Sequence, residues 1–86
     1  MAEIQLDVSE LEPCEPLEIT LQTISTLKPG DWIRVYHRRE PFPLYTLLKQ
    51  QDFCWQTQTG KNHPFEILIW RCNDTQAESA LKHLES

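Results

Sequence analysis

Hydrophobic and polar positions alternate at the start of the chain: Ile4, Leu6 and Val8 are separated by Gln5 and Asp7. A period of two puts three apolar side chains on one face and predicts a half-buried strand. After a polar connection the period changes. Leu17, Leu21, Ile24 and Leu27 recur at spacings of four, three and three, one stripe of a helix. Pro16 suits its first turn, where a missing N–H breaks no bond. Lys28 favours the negative end of that helix, and Pro29-Gly30 stops it. Trp32 to His37 is rich in β-branched and aromatic residues and predicts a second strand.

A strand, a helix and a strand in succession predict a right-handed parallel crossover. Both strands then end at one edge of the sheet, which brings the Glu12–Pro16 loop beside the Arg38–Pro43 loop. Pro43 opens a second helix whose buried stripe is Leu44, Leu47 and Leu48. Phe53–Thr59 and Phe65–Arg71 are two more strands, reversed through Gly60-Lys61-Asn62-His63-Pro64. Asn73, with Gln76 three residues on, is the candidate N-cap of a terminal helix carrying Ala77, Ala80, Leu81 and Leu84. The predicted class is an α/β two-layer sandwich with a mixed four-stranded sheet, ordered strand-helix-strand-helix-strand-strand, plus a short C-terminal helix. Residues 1–72 form the domain and residues 73–86 a helical extension.

The last strand is apolar on both faces: Phe65, Ile67 and Ile69 point one way, Leu68 and Trp70 the other. The second strand likewise sets Trp32 and Tyr36 opposite Ile33 and Val35. A sheet covered by helices on one side only should be polar on the other, so this second face needs a cover. It is either the terminal helix or another chain, the latter giving a homodimer through that face.

Size and charge narrow the function. Eighty-six residues with 13 acids, 8 bases and a net charge of −5 make one small acidic domain. A phosphate backbone or an anionic membrane would be repelled, so neither is an expected partner. From Met1 to Leu27 every charge is negative (Glu3, Asp7, Glu10, Glu12, Glu15, Glu18). The amino terminus lacks the basic start and apolar run of a secretory signal, and the expected location is the cytoplasm. Three cysteines, Cys14, Cys54 and Cys72, are an odd number without CxxC spacing, which fits reduced thiols, with Cys54 and Cys72 as small semi-buried residues. Neither these nor His37, His63 and His83 have the close spacing of a metal site, and no phosphate loop or nucleophile elbow is present; no metal or cofactor is expected.

Leu6-Asp7-Val8, then Leu11-Glu12-Pro13-Cys14-Glu15-Pro16-Leu17, then Lys28-Pro29-Gly30-Asp31 before the second strand resemble the TusA/SirA group of small sulfur-carrier proteins. His37-Arg38-Arg39-Glu40-Pro41-Phe42-Pro43-Leu44-Tyr45 more specifically resembles a TusA-related bacterial domain family of unknown function, over about Leu6 to Arg71. The resemblance implies a two-layer sandwich and sulfur carriage as a cysteine persulfide, handed on through protein contacts with sulfurtransferases or redox proteins. The group's signature is Cys-Pro-x-Pro; here Pro13 holds the carrier position and Cys14 stands one residue later.

The candidate site is therefore the edge formed by Cys14, Glu15, Pro16, His37, Arg38, Arg39 and Glu40. A thiol at a helix start gains thiolate character from the exposed N–H groups, whereas the glutamates around Cys14 oppose it. The plainer reading makes Cys14 a small residue in a tight turn. Arg38 and Arg39 can recognise an oxyanion or carboxylate, or can pair with Glu12, Glu15 or Glu40. His37 can move a proton or be a satisfied strand-end residue. The expected function is contact with partner proteins in sulfur or thiol relay. The alternative is a module binding a small anion or metabolite at Arg38–Arg39, and nothing assembles the nucleophile, base and oxyanion site of a stand-alone enzyme.

Overall fold

A computed structural model describes residues 3–9, 15–60 and 63–85. Strands β1 (Glu3–Asp7), β2 (Trp32–His37), β3 (Phe53–Gln58) and β4 (Phe65–Arg71) alternate with helices α1 (Glu15–Ile24) and α2 (Phe42–Gln50), and α3 (Thr75–Glu85) ends the chain. The sheet order is β1-β2-β4-β3. β1 runs parallel to β2, as the predicted crossover requires, with Ile4 opposite Ile33 and Leu6 opposite Val35. β4 is antiparallel to both neighbours, pairing Ile33 with Ile69 and Val35 with Ile67. The sheet is thus mixed, and the α/β class and element order match the sequence.

The alternation of β1, β2 and β4 sends one side chain set under α1 and α2. Ile33, Val35, Ile67 and Ile69 are fully buried there with Val8, Ile24, Leu44 and Leu48. Burying one such side chain contributes about 1.5–3 kcal/mol, so this layer supplies most of the apolar stabilisation. Leu47, expected in the stripe of α2, is only partly buried.

Helix α1 ends at Ile24, one turn short of the predicted Leu27–Lys28 boundary. The cause is local competition for its last carbonyls. The Thr23, Ser25 and Thr26 hydroxyls donate to the Ile19, Gln22 and Thr23 carbonyl oxygens, and the chain tightens so that the Leu27 N–H reaches only Ile24. Leu27 still packs in the core from this turn.

The second face is covered by α3. Ala77 and Leu81 bury Trp32 and Leu68, with Trp70 and Ala80 packed beside them. Asp74, not Asn73, is the N-cap: its Oδ1 accepts from the Ala77 N–H and its carbonyl from the Glu78 N–H. Its Oδ2 accepts from the N–H of Gly30 at 2.6 Å, and Gly30 has φ 89°, a left-handed conformation glycine adopts without penalty. The carboxylate that starts α3 is thereby fastened to the turn preceding β2.

The remainder of that face is polar, which the apolar count in the sequence overlooked. Arg34 donates from Nε to Glu3 Oε1 and from Nη1 to Glu66 Oε1, each at 2.9 Å, and the Trp32 indole N–H donates to the same Glu3 oxygen at 3.0 Å. No helix among the described residues is long and apolar enough to cross a membrane.

Candidate functional site

Because β1 and β2 are parallel, their ends meet, and one side chain ties them together. Arg38, one residue beyond β2, donates from Nε (3.0 Å) and Nη2 (2.7 Å) to the Ser9 carbonyl oxygen, two residues beyond β1. A guanidinium fork on one carbonyl fixes where the chain leaves β1 on its way to α1. Ser9 itself is held from the other side: its N–H and hydroxyl donate to Asp7 Oδ1 at 3.0 and 2.6 Å. These bonds from Ser9, the hydroxyl first, draw the Asp7 carboxyl below its ordinary range.

The β3–β4 reversal comes to the same edge because β4 is antiparallel to β2, His37 lying opposite Phe65. Gly60 permits the reversal, since a Cβ there would stand 2.6 Å from the His63 carbonyl oxygen. His63 then lies with Nε2 3.4 Å from Asp7 Oδ2 and its ring 4.7 Å from that of Tyr36. Asp7, Ser9, Tyr36 and His63 are edge residues that sequence reasoning did not find. Asp7 and Ser9 could have been found as the turn after the first strand, but His63 depends on which strand β4 pairs with.

Of the residues proposed from sequence, Cys14 lies outside the described residues. Glu15 and Pro16 are the first two residues of α1. His37 ends β2, half-buried, and its Nδ1 accepts the Arg39 N–H at 3.3 Å, which leaves the proton of the neutral ring on Nε2. Arg38 and Arg39 are exposed, and Glu40 is partly buried just before α2. Phe42, at the start of α2, is 66% exposed and meets Tyr45 edge-on, while Tyr45 stacks on Trp55. Burial raises the Tyr45 phenol above its usual range, the hydrogen bond with Thr57 opposing this.

The edge therefore combines a bound guanidinium, a carboxylate–imidazole pair, a second imidazole and an exposed aromatic ring. Among the described residues no three His, Cys, Asp or Glu side chains converge as a metal site would need. Cys54 and Cys72, expected as separate reduced thiols, are instead joined by a disulfide at the opposite end of β3 and β4. Sequence spacing could not show this, because the separation of 18 positions is spent on a hairpin that returns the chain to its start.

Acid should weaken the fold in two stages. Burial holds His37 below its ordinary value of about 6.5, so the unfolded chain takes that proton first. Its contribution is complete above about pH 6.5 and is lost as pH falls through the lower folded value. The carboxyls of Asp7 and Asp74 are also lowered, the latter chiefly by the Gly30 N–H, and their contributions disappear below about pH 4. Urea midpoints measured from pH 8 to pH 3 should fall in both ranges. His37→Asn, which preserves an acceptor for the Arg39 N–H, should flatten only the upper one; an unchanged upper slope would assign it elsewhere.

Comparison with curated proteins and with solved structures gives no match. Residues 5–71, from within β1 to the last residue of β4, match a protein family model that spans α1, α2 and the sheet except for the first two residues of β1. The chain belongs to that family, described as an uncharacterized conserved protein (DUF2249).

Proposed function

We propose that this protein acts by contact with partner proteins in thiol or sulfur relay, with Cys14 as the carrier and the edge around Arg38 as the docking surface. The observation that carries this reading is the double hydrogen bond from Arg38 to the Ser9 carbonyl. It anchors the chain five residues before Cys14, and Glu15, immediately after Cys14, is the first residue of a ten-residue helix. In sequence Cys14 directly precedes the first residue of α1, and the N–H groups at a helix start favour a thiolate. The resemblance of Leu6-Asp7-Val8 and Lys28-Pro29-Gly30-Asp31 to the TusA/SirA group supports the same reading, with Cys14 one residue beyond that group's carrier position, as does the exposure of Phe42 and Arg39 for a partner to contact.

Binding of a small anion at Arg38–Arg39 is the second reading. It is weakened because two donors of the Arg38 fork are already committed to Ser9.

Incubation with a cysteine desulfurase and cysteine, followed by peptide mass spectrometry, should place a persulfide on Cys14. Cys14→Ser should abolish the adduct. Sulfur loading that the substitution leaves unchanged would overturn relay through this residue.

A further inference from the structure

Cys54 is the second residue of β3 and Cys72 directly follows β4, and the disulfide between them spans a Cα–Cα distance of 5.0 Å. Both residues are half-buried and neither belongs to the buried core, which sets the bridge near the surface of the domain. The bond is not what holds the two strands together. Six register pairs, from Phe53 with Arg71 to Gln58 with Glu66, run between them, and the Cys72 N–H donates to the Asp52 carbonyl at 3.0 Å. The Arg71 guanidinium also lies 5.1 Å above the Phe53 ring. Opening the S–S bond therefore leaves the ladder standing.

The surroundings are those of a joint. Asp52, two residues before Cys54, has φ 62°, the one positive value at a non-glycine position among the described residues. Backbone conformations of this kind are retained where neighbouring structure enforces them. A cleft of about 440 Å³, lined by Pro29, Arg71, Asn73, Asp74, Thr75 and Gln76, opens on the turn that carries Cys72. The family match includes Cys54 and stops one residue before Cys72, so the bond ties the family region to the segment leading into α3.

We propose that Cys54 and Cys72 form a reversible thiol–disulfide couple that exchanges two electrons with a dithiol. A donor thiolate attacks one sulfur of the bridge, forms a mixed disulfide and releases the other cysteine as a thiolate. The donor's second thiol then attacks its own sulfur in the mixed disulfide, which frees the second cysteine. The donor departs as a disulfide, and the chain has gained two electrons and two protons as two thiols. Oxidation runs the same steps in reverse with a disulfide as acceptor. The couple lies at the opposite end of the sheet from the Arg38 edge and does not depend on relay through Cys14.

The test uses the whole chain in native buffer. Dithiothreitol reduction is quenched at intervals with iodoacetamide, and labelled peptides are mapped by mass spectrometry. Cys54 and Cys72 should pass together from unlabelled to fully labelled at a rate within roughly ten-fold of that in denaturant, because access and not unfolding limits attack. Oxidised glutathione, added to reduced protein before any iodoacetamide, should return both cysteines to the form that iodoacetamide does not label. Trp70, the register partner of Cys54, gives an independent fluorescence signal of the same change. Cys72→Ser should capture glutathione on Cys54, and Cys14→Ser should leave the couple intact; if the first variant fails to fold, the native labelling rates decide alone. Reduction that requires denaturant would make the bridge purely structural. Cysteines that are labelled before reduction and do not rejoin with oxidised glutathione would overturn the couple altogether.

Discussion

Replacing Leu68 with alanine should lower the free energy of unfolding by about 3 kcal/mol, the middle of the range for a large-to-small change at a fully buried site. Leu68 has no exposed surface although it lies on the face away from α1 and α2. Its burial comes from α3, where Ala77 and Leu81 lie over it, and from Trp32 beside it. Alanine on the helix side cannot extend to fill the space a lost isobutyl group leaves, so the cavity term should persist. Urea unfolding gives the total, and hydrogen exchange locates it: α3 amides should lose more protection than those of β2. A loss under about 1 kcal/mol would mean that α3 does not seat on the sheet as described.

Arg34→Met should cost about 2 kcal/mol at pH 7, less than the full penalty for breaking a buried pair because Glu3 and Glu66 keep side-chain exposures of 22% and 15%. Removing the guanidinium leaves two carboxylates facing a vacated site with no cation between them. Burial pushes the Glu3 carboxyl up, but hydrogen bonds from Trp32, Gln5 and Arg34 outweigh it and the group ends below its ordinary range. A lowered carboxyl stabilises the fold above the unfolded value of about 4.3 and ceases to do so as pH falls through the folded value. Without Arg34 the burial effect gains weight, and the Glu3 carboxylate protonates more readily in the fold. The deficit of the variant relative to the natural protein should therefore shrink between pH 7 and pH 4. Adding Glu66→Gln should recover part of the loss at pH 7. Equal deficits at both pH values would show that Arg34 matters through its packed stem and not its charge.

The two variants probe one face of the sheet, and that face is where sequence and structure diverged. The apolar residues Trp32, Leu68 and Trp70 were legible as a surface in need of cover, but not what covers it. The register sets Arg34, on the same side, diagonally between Glu3 and Glu66, a grouping that no local pattern in the sequence marks. The candidate edge divides similarly. His37 and Arg38 follow from the parallel crossover alone. The partner of Arg38 is a backbone carbonyl, which no residue identity advertises, and His63 joins Asp7 only because β4 inserts between β2 and β3.

By itself the sequence determined the α/β order of strands and helices, the parallel pairing of β1 with β2 and the edge at which both end. These follow from periods of two and 3.6 and from proline and glycine placement, which act over a few residues. Tertiary structure alone decided the position of β4 between β2 and β3, the seating of α3, the Asp74 cap shared with Gly30 and the joining of Cys54 to Cys72. Each of these is a contact between segments many residues apart. Its free energy depends on which surfaces meet after the chain has collapsed, and local patterning limits those encounters without selecting among them.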